Sequence, residues 1–380
     1  MLTFDCVLSS VSLLLHTIKT ALRAILYYIT GHGYGHAVRS NQVIRALRNL
    51  NRDIRIHVRT TAPEWLFYHP SRPVSYTAQS IDVGVIQPNS LRMDLGATIQ
   101  ACRELHHRLP KLIEQELTFI KEQQIDLIVG DIPPASFEIA AHARIPSVAI
   151  TNFTWDVIYR AYVDEHPGFI PIINEMTRFY NKATLALTLP YACDMSMFSR
   201  HEAIPWVARL SSLNKAQARA AFGLPERETI VLLSFGGLGL ADFPWHRLDN
   251  FPEYFFVTTG PATRSRGNLL ILDDAQRQYE DLLRAVDVII TKPGYGIVAD
   301  LLAHRLPVLY TERGDFPEYP FLVKALIDLA TAEFIPQNAL LSGNIRPYIA
   351  ALLEKKPARG PVELNGAVVA AGKILELLDR

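Results

Sequence analysis

The chain has 380 residues, of which 49% are hydrophobic and 20% are charged. This length is too great for one ordinary core and predicts two domains, and the composition excludes a disordered or fibrous protein. Lys and Arg residues equal Asp and Glu residues at 38 each, so no overall field attracts nucleic acid or anionic lipid, and we expect no nucleic-acid partner.

The first 24 residues are apolar enough to be compared with an export signal. The run VLSSVSLLLHTIKTALRAI follows Asp5 with no Lys or Arg before it, and His16, Lys19 and Arg23 interrupt it. These features disfavour a cleaved signal or a stable membrane span. We interpret residues 1–24 as an extension, either an extra amphipathic helix or residues added by an upstream start codon. A helix that binds weakly to a membrane surface is the next alternative. The three widely spaced cysteines fit a reducing, cytoplasmic location and disfavour disulfides or a zinc cluster.

From Ala24 onward, short apolar runs alternate with longer stretches of helical periodicity. Strands are predicted at AILYYIT, IRIHVRT, IDLIVGD and PSVAITN, and helices at AVRSNQVIRALRNL, at residues 99–124 and at ASFEIAAHARI. This alternation is typical of a parallel sheet with helices on both faces.

A second round of the same pattern follows a transitional stretch at about 190–212. The helix KAQARAAFGL precedes the strands ETIVLLS, YFFVTTG, VDVIIT and PVLYTER, and the helix GIVADLLAHRL lies between the last two. The sequence therefore predicts an α/β protein with two Rossmann-like, doubly wound domains, at residues 25–200 and 201–380.

The loop in YYITGHGYGHAVRS follows the first predicted strand and opens the first helix. A dinucleotide fingerprint requires G-x-G-x-x-G and an acidic residue after the second strand. Gly31 and Gly33 fit this pattern, but His36 takes the third position and the second strand ends near Arg59, which disfavours an oxidoreductase. At a helix N-terminus the imidazole pKa falls, so His36 is a candidate neutral base. The alternative is a histidine that only caps the helix or forms a structural hydrogen bond.

The segment from Ala285 to Pro320 carries the most specific pattern. Lys292 follows a strand, Gly294, Tyr295 and Gly296 open a helix, and Asp300 lies one turn into it. A cation and open amides suit a diphosphate, and a carboxylate suits ribose hydroxyls. The alternative is a capped helix with a surface lysine and an ion-paired aspartate.

Two weaker signals accompany this segment. Gly236 and Gly237 in SFGGLG follow a strand, and their amides suit a phosphate, although glycines also simply end strands. Asp315 and Glu318 are acidic groups suited to sugar hydroxyls or to a solvated loop.

These motifs, in this order, resemble the GT-B glycosyltransferases of glycosyltransferase family 28, and more narrowly the glycosyltransferase-like N-terminal half of L-arabinokinases. The resemblance covers nearly everything after residue 24, including the terminal LNGAVVAAGKIL. It implies a GT-B fold, in which two domains face each other across a cleft, the second holds a nucleotide sugar and the last helix crosses back onto the first domain. No Gly-Leu-Gly-Ser-Ser loop follows, so sugar kinase activity is not implied. The related transferases that make lipid II place a Glu on ribose where this chain has Asp300.

The resemblance also draws attention to the ends of two strands in the first domain. Asp131 ends one strand, at the edge where doubly wound sheets bind ligands. After the next strand come Asn152, Trp155 and Asp156 in TNFTWDVIY. Trp155 suits stacking on a sugar or simple burial, and Asp156 suits an acceptor contact, a helix cap or an ion pair. The predicted acceptor site comprises six residues, namely Gly31, His32, Gly33, Asn152, Trp155 and Asp156.

The predicted reaction is transfer of a sugar from a nucleoside-diphosphate sugar, with UDP or GDP as the nucleotide, to a hydroxyl of a small-molecule or lipid-linked acceptor. His36 or Asp131 would take the acceptor proton. We expect no cofactor and no metal, because the sequence contains no Asp-x-Asp motif and Lys292 with helix amides can stabilise the leaving group. Two alternatives stay open: a non-catalytic nucleotide-sugar binding or regulatory protein, and a GT-B sugar-nucleotide epimerase.

Overall fold

The computed structural model describes residues 23–67, 69, 73–87, 93–235, 243–273, 278–358 and 360–379. Of the predicted extension 1–24, only Arg23 and Ala24 fall in these ranges. Gly236 and Gly237, two of the predicted phosphate-binding glycines, also lie outside the described residues.

The first part of the described chain forms a seven-stranded sheet, in the order β3-β2-β1-β4-β5-β6-β7, in which every pair of neighbours is parallel. Its strands are β1 (Ala24–Ile29), β2 (Arg55–Thr60), β3 (Ser75–Ala78), β4 (Leu127–Asp131), β5 (Ser147–Thr151), β6 (Leu185–Thr188) and β7 (His201–Ala203). Its helices are α1 (Tyr34–Leu50), α2 (Leu95–Gln123), α3 (Ala135–Ala143), α4 (Trp155–Arg160) and α5 (Phe169–Tyr180), with a 3-10 helix at Glu64–Phe67.

The second part forms another seven-stranded sheet, in the order β10-β11-β9-β8-β12-β13-β14, with only the β10–β11 pair antiparallel. Its strands are β8 (Thr229–Ser234), β9 (Tyr254–Gly260), β10 (Arg264–Arg266), β11 (Leu269–Asp273), β12 (Val288–Thr291), β13 (Val308–Tyr310) and β14 (Ala332–Phe334). The helices are α6 (Lys215–Phe222), α7 (Tyr279–Ala285), α8 (Tyr295–His304), α9 (Tyr319–Leu329), α10 (Gln337–Leu341), α11 (Arg346–Glu354) and α12 (Gly366–Leu378), with a 3-10 helix at Trp245–Asn250.

The apolar pattern of the sequence explains this architecture. Strands β1, β4, β5 and β12 are buried along their whole length, as expected for parallel strands covered by helices on both faces. Helix α1 buries Val43, Ile44 and Leu47 at helical spacing, which turns its apolar face to the sheet. The predicted α/β class with two Rossmann-like sheets is therefore confirmed.

The strand order reverses once in each sheet, between β1 and β4 and between β8 and β12. In doubly wound sheets, ligands bind at the carboxyl ends of the strands at such a reversal, where the two flanking loops diverge. The loops that follow β1 and β12 are the two glycine-rich segments singled out in the sequence. The fold thus brings both to the position where a ligand site is expected.

The last helix links the two halves of the chain, since α12 packs against α1 and buries Ala370, Ala371 and Ile374. Its first residue is glycine because an added Cβ at Gly366 would lie 2.1 Å from the carbonyl oxygen of Pro205. The predicted domain limits stay a prediction; β7 belongs to the first sheet although it follows residue 200. No helix in the described ranges is long and apolar enough to cross a bilayer.

Candidate functional site

A cleft of about 1110 Å³ lies between the two sheets, at their carboxyl edges. On one side it is lined by the loop from Gly31 to His36, and on the other by the segment from Lys292 to Ile297. Pockets for a single small ligand usually measure about 300–1,000 Å³. The cleft is therefore large enough for more than one small molecule.

Two helix N-termini meet in this cleft. Helix α1 begins after Gly33, whose φ of 82° favours glycine, and helix α8 begins after Gly294; neither helix has a side-chain cap. The helices approach each other so closely that a Cβ added at Gly296 would lie 3.4 Å from the Cα of Gly35. The amides and partial positive charges of both N-termini thus converge, which favours an anionic ligand.

His36, in the first turn of α1, forms a buried pair with Asp131 at the end of β4. The Nδ1–Oδ1 distance is 2.8 Å, and the two residues are 7% and 0% exposed. Nδ1 also lies 2.9 Å from Nη2 of Arg39. In the tautomer whose Nδ1 donates to Asp131, Nε2 of His36 is the proton acceptor. The ring edge of Phe153 contacts the imidazole, with centroids 5.5 Å apart. The sequence-predicted His36 and Asp131 thus lie together in an orientation suited to a general base.

Asp131 is also held by two neighbours of His36 on the same helix. Arg39 donates from Nε at 2.7 Å and from Nη2 at 2.5 Å, and Ser40 donates from its hydroxyl at 2.7 Å. Burial alone would raise the pKa of Asp131, but the charge and hydrogen bonds of Arg39, together with His36, lower it below its ordinary value. The carboxylate therefore stays ionised throughout the physiological pH range.

The same arginine continues the network across the cleft. Arg39 Nη1 donates to Asn152 Oδ1 at 2.7 Å, and Asn152 Nδ2 donates to Glu318 Oε1 at 2.7 Å. The other oxygen of Glu318 accepts from Arg313 Nη1 at 2.6 Å. The predicted acceptor residue Asn152 and the predicted donor residue Glu318 are therefore bonded to each other, and each is at most 2% exposed.

Lys292 follows β12 and lines the cleft beside the N-terminus of α8. Burial, reinforced by the nearby charge of Arg313, lowers the pKa of Lys292 to about 8. A lysine beside the uncapped N-terminus of α8 suits a ligand with negative charge.

His32 occupies the middle of the cleft wall. Its ring lies 5.1 Å from that of Trp155, edge to face, and 6.2 Å from that of Phe316, stacked. Burial lowers its pKa to about 3, with further contributions from His36, Arg313 and Lys292. His32 is therefore neutral at pH 7 and is available for hydrogen bonds rather than charge.

Like Asn152, two further predicted acceptor residues have other partners in the structure. Trp155 is 0% exposed and donates from Nε1 to Asp82 Oδ2 at 2.9 Å, so it offers no face for a sugar. Asp156 is equally buried and accepts from the hydroxyl of Thr177 at 2.8 Å. Both begin α4, whose packing against α5 encloses them, and the alternatives of burial and pairing describe them better than acceptor contact.

Some predicted donor residues line the cleft, whereas others are paired or lie elsewhere. Asp300 is 1% exposed, and its oxygens accept from the backbone amide, Nε and Nη2 of Arg209 at 2.7, 2.9 and 2.5 Å. In this structure the ion-paired alternative therefore describes Asp300 better than a ribose contact. Asp315 is exposed and lies outside the residues that line the cleft, whereas Gly294, Tyr295, Gly296 and Lys292 line it.

Sequence reasoning missed several residues that build the site. Arg39 and Ser40 carried a local signal, because residues three and four positions after His36 share its helix face. Arg209 and Arg313 carried none, since their partners are set by tertiary contacts. No described group of three or more His, Cys, Asp or Glu side chains is arranged to hold a metal ion.

Comparisons with known proteins agree with this architecture. Residues 23–199 match the family model described as glycosyl transferase family 1. L-arabinokinase of Arabidopsis thaliana is 29% identical over 357 residues, which cover 91% of this chain and 33% of that protein. The chain therefore spans about one third of the length of the curated relative that it matches.

Solved structures show the same overall fold at low sequence identity. CalG4, the calicheamicin glycosyltransferase, superposes with a TM-score of 0.62 at 15% identity, covering 95% of this chain and 99% of that one. MurG of Acinetobacter baumannii gives a TM-score of 0.56 at 13% identity, covering 93% and 99% of the two chains. UGT89C1 of Arabidopsis thaliana complexed with quercetin gives 0.59 at 15% identity and 93% of each chain. The chain thus has the GT-B fold of glycosyltransferases, and its residues 23–199 match glycosyl transferase family 1.

Proposed function

We propose that the protein transfers a sugar from a nucleoside-diphosphate sugar to a hydroxyl group of an acceptor. One observation carries the proposal: the buried His36–Asp131 pair at the N-terminus of α1 faces, across one cleft, the N-terminus of α8 with Lys292. The first arrangement suits proton removal and the second suits a diphosphate leaving group. Glycosyl transfer to a hydroxyl uses both functions, and the GT-B fold of the chain supports the proposal.

In this reaction the acceptor hydroxyl gives its proton to Nε2 of His36 while its oxygen forms a bond to the anomeric carbon of the sugar. The bond from that carbon to the diphosphate oxygen breaks, and the electron pair leaves with the nucleoside diphosphate. Asp131 stabilises the resulting imidazolium through Nδ1. Lys292 and the amides at Gly294 and Gly296 stabilise the charge on the leaving group.

The proposal assigns leaving-group stabilisation to Lys292 and helix amides rather than to a metal ion, so turnover should survive a chelator. We further propose UDP or GDP as the nucleotide, a hexose as the sugar, and a small-molecule or lipid-linked alcohol as the acceptor. Ribose contact by Asp300 would require it to release Arg209, to which it is now bound. A ribose that instead contacts Arg209 leaves that ion pair intact.

The experiment is a thermal-shift screen against UDP, GDP, ADP, CMP and dTDP and their common sugar conjugates. A ligand at about 100 times its dissociation constant stabilises a protein by roughly 2.7 kcal/mol, which is a measurable midpoint shift. We expect one nucleotide to shift the midpoint, and Lys292→Ala to abolish that shift. The matched control is Lys324→Ala, because Lys324 pairs with Asp328 on the exposed face of α9 and should leave the shift unchanged.

The results of this screen distinguish the proposed transferase from its alternatives. No shift with any nucleotide would overturn the donor site and with it the transferase. A shift that survives Lys292→Ala would place the nucleotide elsewhere. A conjugate that binds but stays intact with a wide set of acceptors would favour a binding or regulatory protein, and an epimerised sugar with free nucleotide and no acceptor would favour an epimerase.

A further inference from the structure

The network that begins at His36 does not end in the first half of the chain. It runs from His36 through Asp131, Arg39 and Asn152 to Glu318 in a continuous series of hydrogen bonds. Residues 152 and 318 stand on opposite sides of the cleft, after β5 and before α9. Their contact joins the two halves at the point where the proposed acceptor and donor meet.

The direction of every bond at Asn152 is fixed by its neighbours. Arg39 has only donors, so it requires Oδ1 of the amide, and Nδ2 is thereby turned to donate to Glu318 Oε1. The amide therefore has one orientation, and both of its ends are used. No other uncharged side chain of this size supplies an acceptor and a donor in the same geometry.

We propose that Asn152 is a positioning residue that closes the cleft by binding Glu318 and, through Arg39, ties this closure to the shielding of His36 from water. When Asn152 and Glu318 separate, both polar groups become hydrated and water reaches the cluster of Arg39 and Asp131. When they meet, His36 is enclosed, as its 7% exposure shows. The consequence for catalysis rests on the proposed function, whereas the closure does not.

Other contacts across the cleft support a closed form in which this bond is central. Phe316 packs edge to face on Phe153, with centroids 5.9 Å apart, and Tyr162 donates its hydroxyl to the carbonyl oxygen of Asp315 at 2.8 Å. Phe153 and Phe316 are close in the chain to Asn152 and Glu318, so both segments make further contacts beside the buried Asn152–Glu318 bond. A buried charge-assisted hydrogen bond is strong when both partners are satisfied and costly when one partner changes.

A reversal of bond polarity tests the proposal. Asn152→Asp keeps size and the bond to Arg39 but turns an acceptor toward Glu318, so the cleft should open. The double variant Asn152→Asp with Glu318→Gln restores a donor facing an acceptor and should close it again. The readouts are the radius of gyration from small-angle X-ray scattering and the rate at which diethylpyrocarbonate modifies His36, followed by peptide mass spectrometry. Neither readout requires a substrate.

We expect Asn152→Asp to enlarge the radius of gyration and to speed His36 modification roughly tenfold, the scale of losing one charge-assisted hydrogen bond. The double variant should return both toward the wild type, and exposed His201 should react equally in all forms. Unchanged values in Asn152→Asp would overturn the proposal, as would an opening that the double variant does not reverse. If Asn152→Asp does not fold, Glu318→Ala takes its place, and an unchanged His36 rate then overturns the proposal. Failure of the wild-type protein to bind any nucleotide would instead count against the proposed function, and it would leave both of these readouts unchanged.

Discussion

The two glycine loops of this protein have the same backbone plan and different chemistry. Each follows a parallel strand at the reversal of strand order and opens a helix without a side-chain cap. In the first loop the charges are paired internally, since Asp131 is neutralised by Arg39 beside a histidine. In the second, Arg313 pairs with Glu318, and burial together with the nearby charge of Arg313 lowers the pKa of Lys292 to about 8.

The difference shows how one structural plan serves two tasks. A base must accept a proton without an excess of charge around it, and the compensated cluster at His36 meets that condition. A diphosphate site must present positive charge to the ligand, and the second loop places Lys292 beside the N-terminus of α8 in the cleft. The side chains, rather than the glycines that the loops share, decide which task each performs.

The largest expected effect follows from the first loop. His36→Ala should lower turnover by about 10²- to 10⁴-fold, the usual worth of general-base assistance, while the nucleotide-induced thermal shift stays intact because donor groups lie in the other loop. Initial rates of nucleoside diphosphate release measure this. The control is His201→Ala at an exposed position. A loss below about tenfold would contradict the assignment of proton transfer to the first loop.

The next effect concerns the internal pairing of charge. Asp131→Ala should reduce the free energy of unfolding by about 3–5 kcal/mol, because Arg39, which is 2% exposed, would be left charged and buried. Urea denaturation measures the change. Asp249→Ala is the matched control, since its pair with Arg266 lies at the surface and should contribute about 1 kcal/mol or less. Equal losses in the two variants would show that the first loop has no tightly paired cluster.

The smallest effect is a pH dependence confined to the second loop. Lys292 is charged below its pKa of about 8 and loses its charge as the pH rises through that value. The dissociation constant of the nucleoside diphosphate should therefore increase by about tenfold between pH 7 and pH 9. Calorimetric titration at several pH values measures it. Lys292→Arg should remove the dependence, because arginine stays charged; a dependence that persists in this variant would assign the titration to another group.

Much of this arrangement was accessible from local sequence. The order of strands, glycine loops and helices follows from apolar periodicity. The candidates follow from their positions, His36 at the start of the helix after the first glycine loop and Lys292 directly after a strand. Arg39 and Ser40 were within reach of the same reasoning, because they repeat at helical spacing after His36. The burial of Trp155 and Asp156 could not be predicted from the sequence. An aromatic or acidic residue after a strand gives the same local pattern whether packing encloses it or leaves it exposed.

By itself, then, the sequence determined the α/β class, the two rounds of the fold and the positions of both glycine loops, because these depend on short-range periodicity and on glycine conformation. Only the tertiary structure decided which charged and polar side chains pair with one another. Asp300 meets Arg209 across 91 positions, and Asn152 meets Glu318 across 166. No local pattern encodes such pairs, because a side chain's partner depends on how whole elements pack, and packing is settled by the entire core at once.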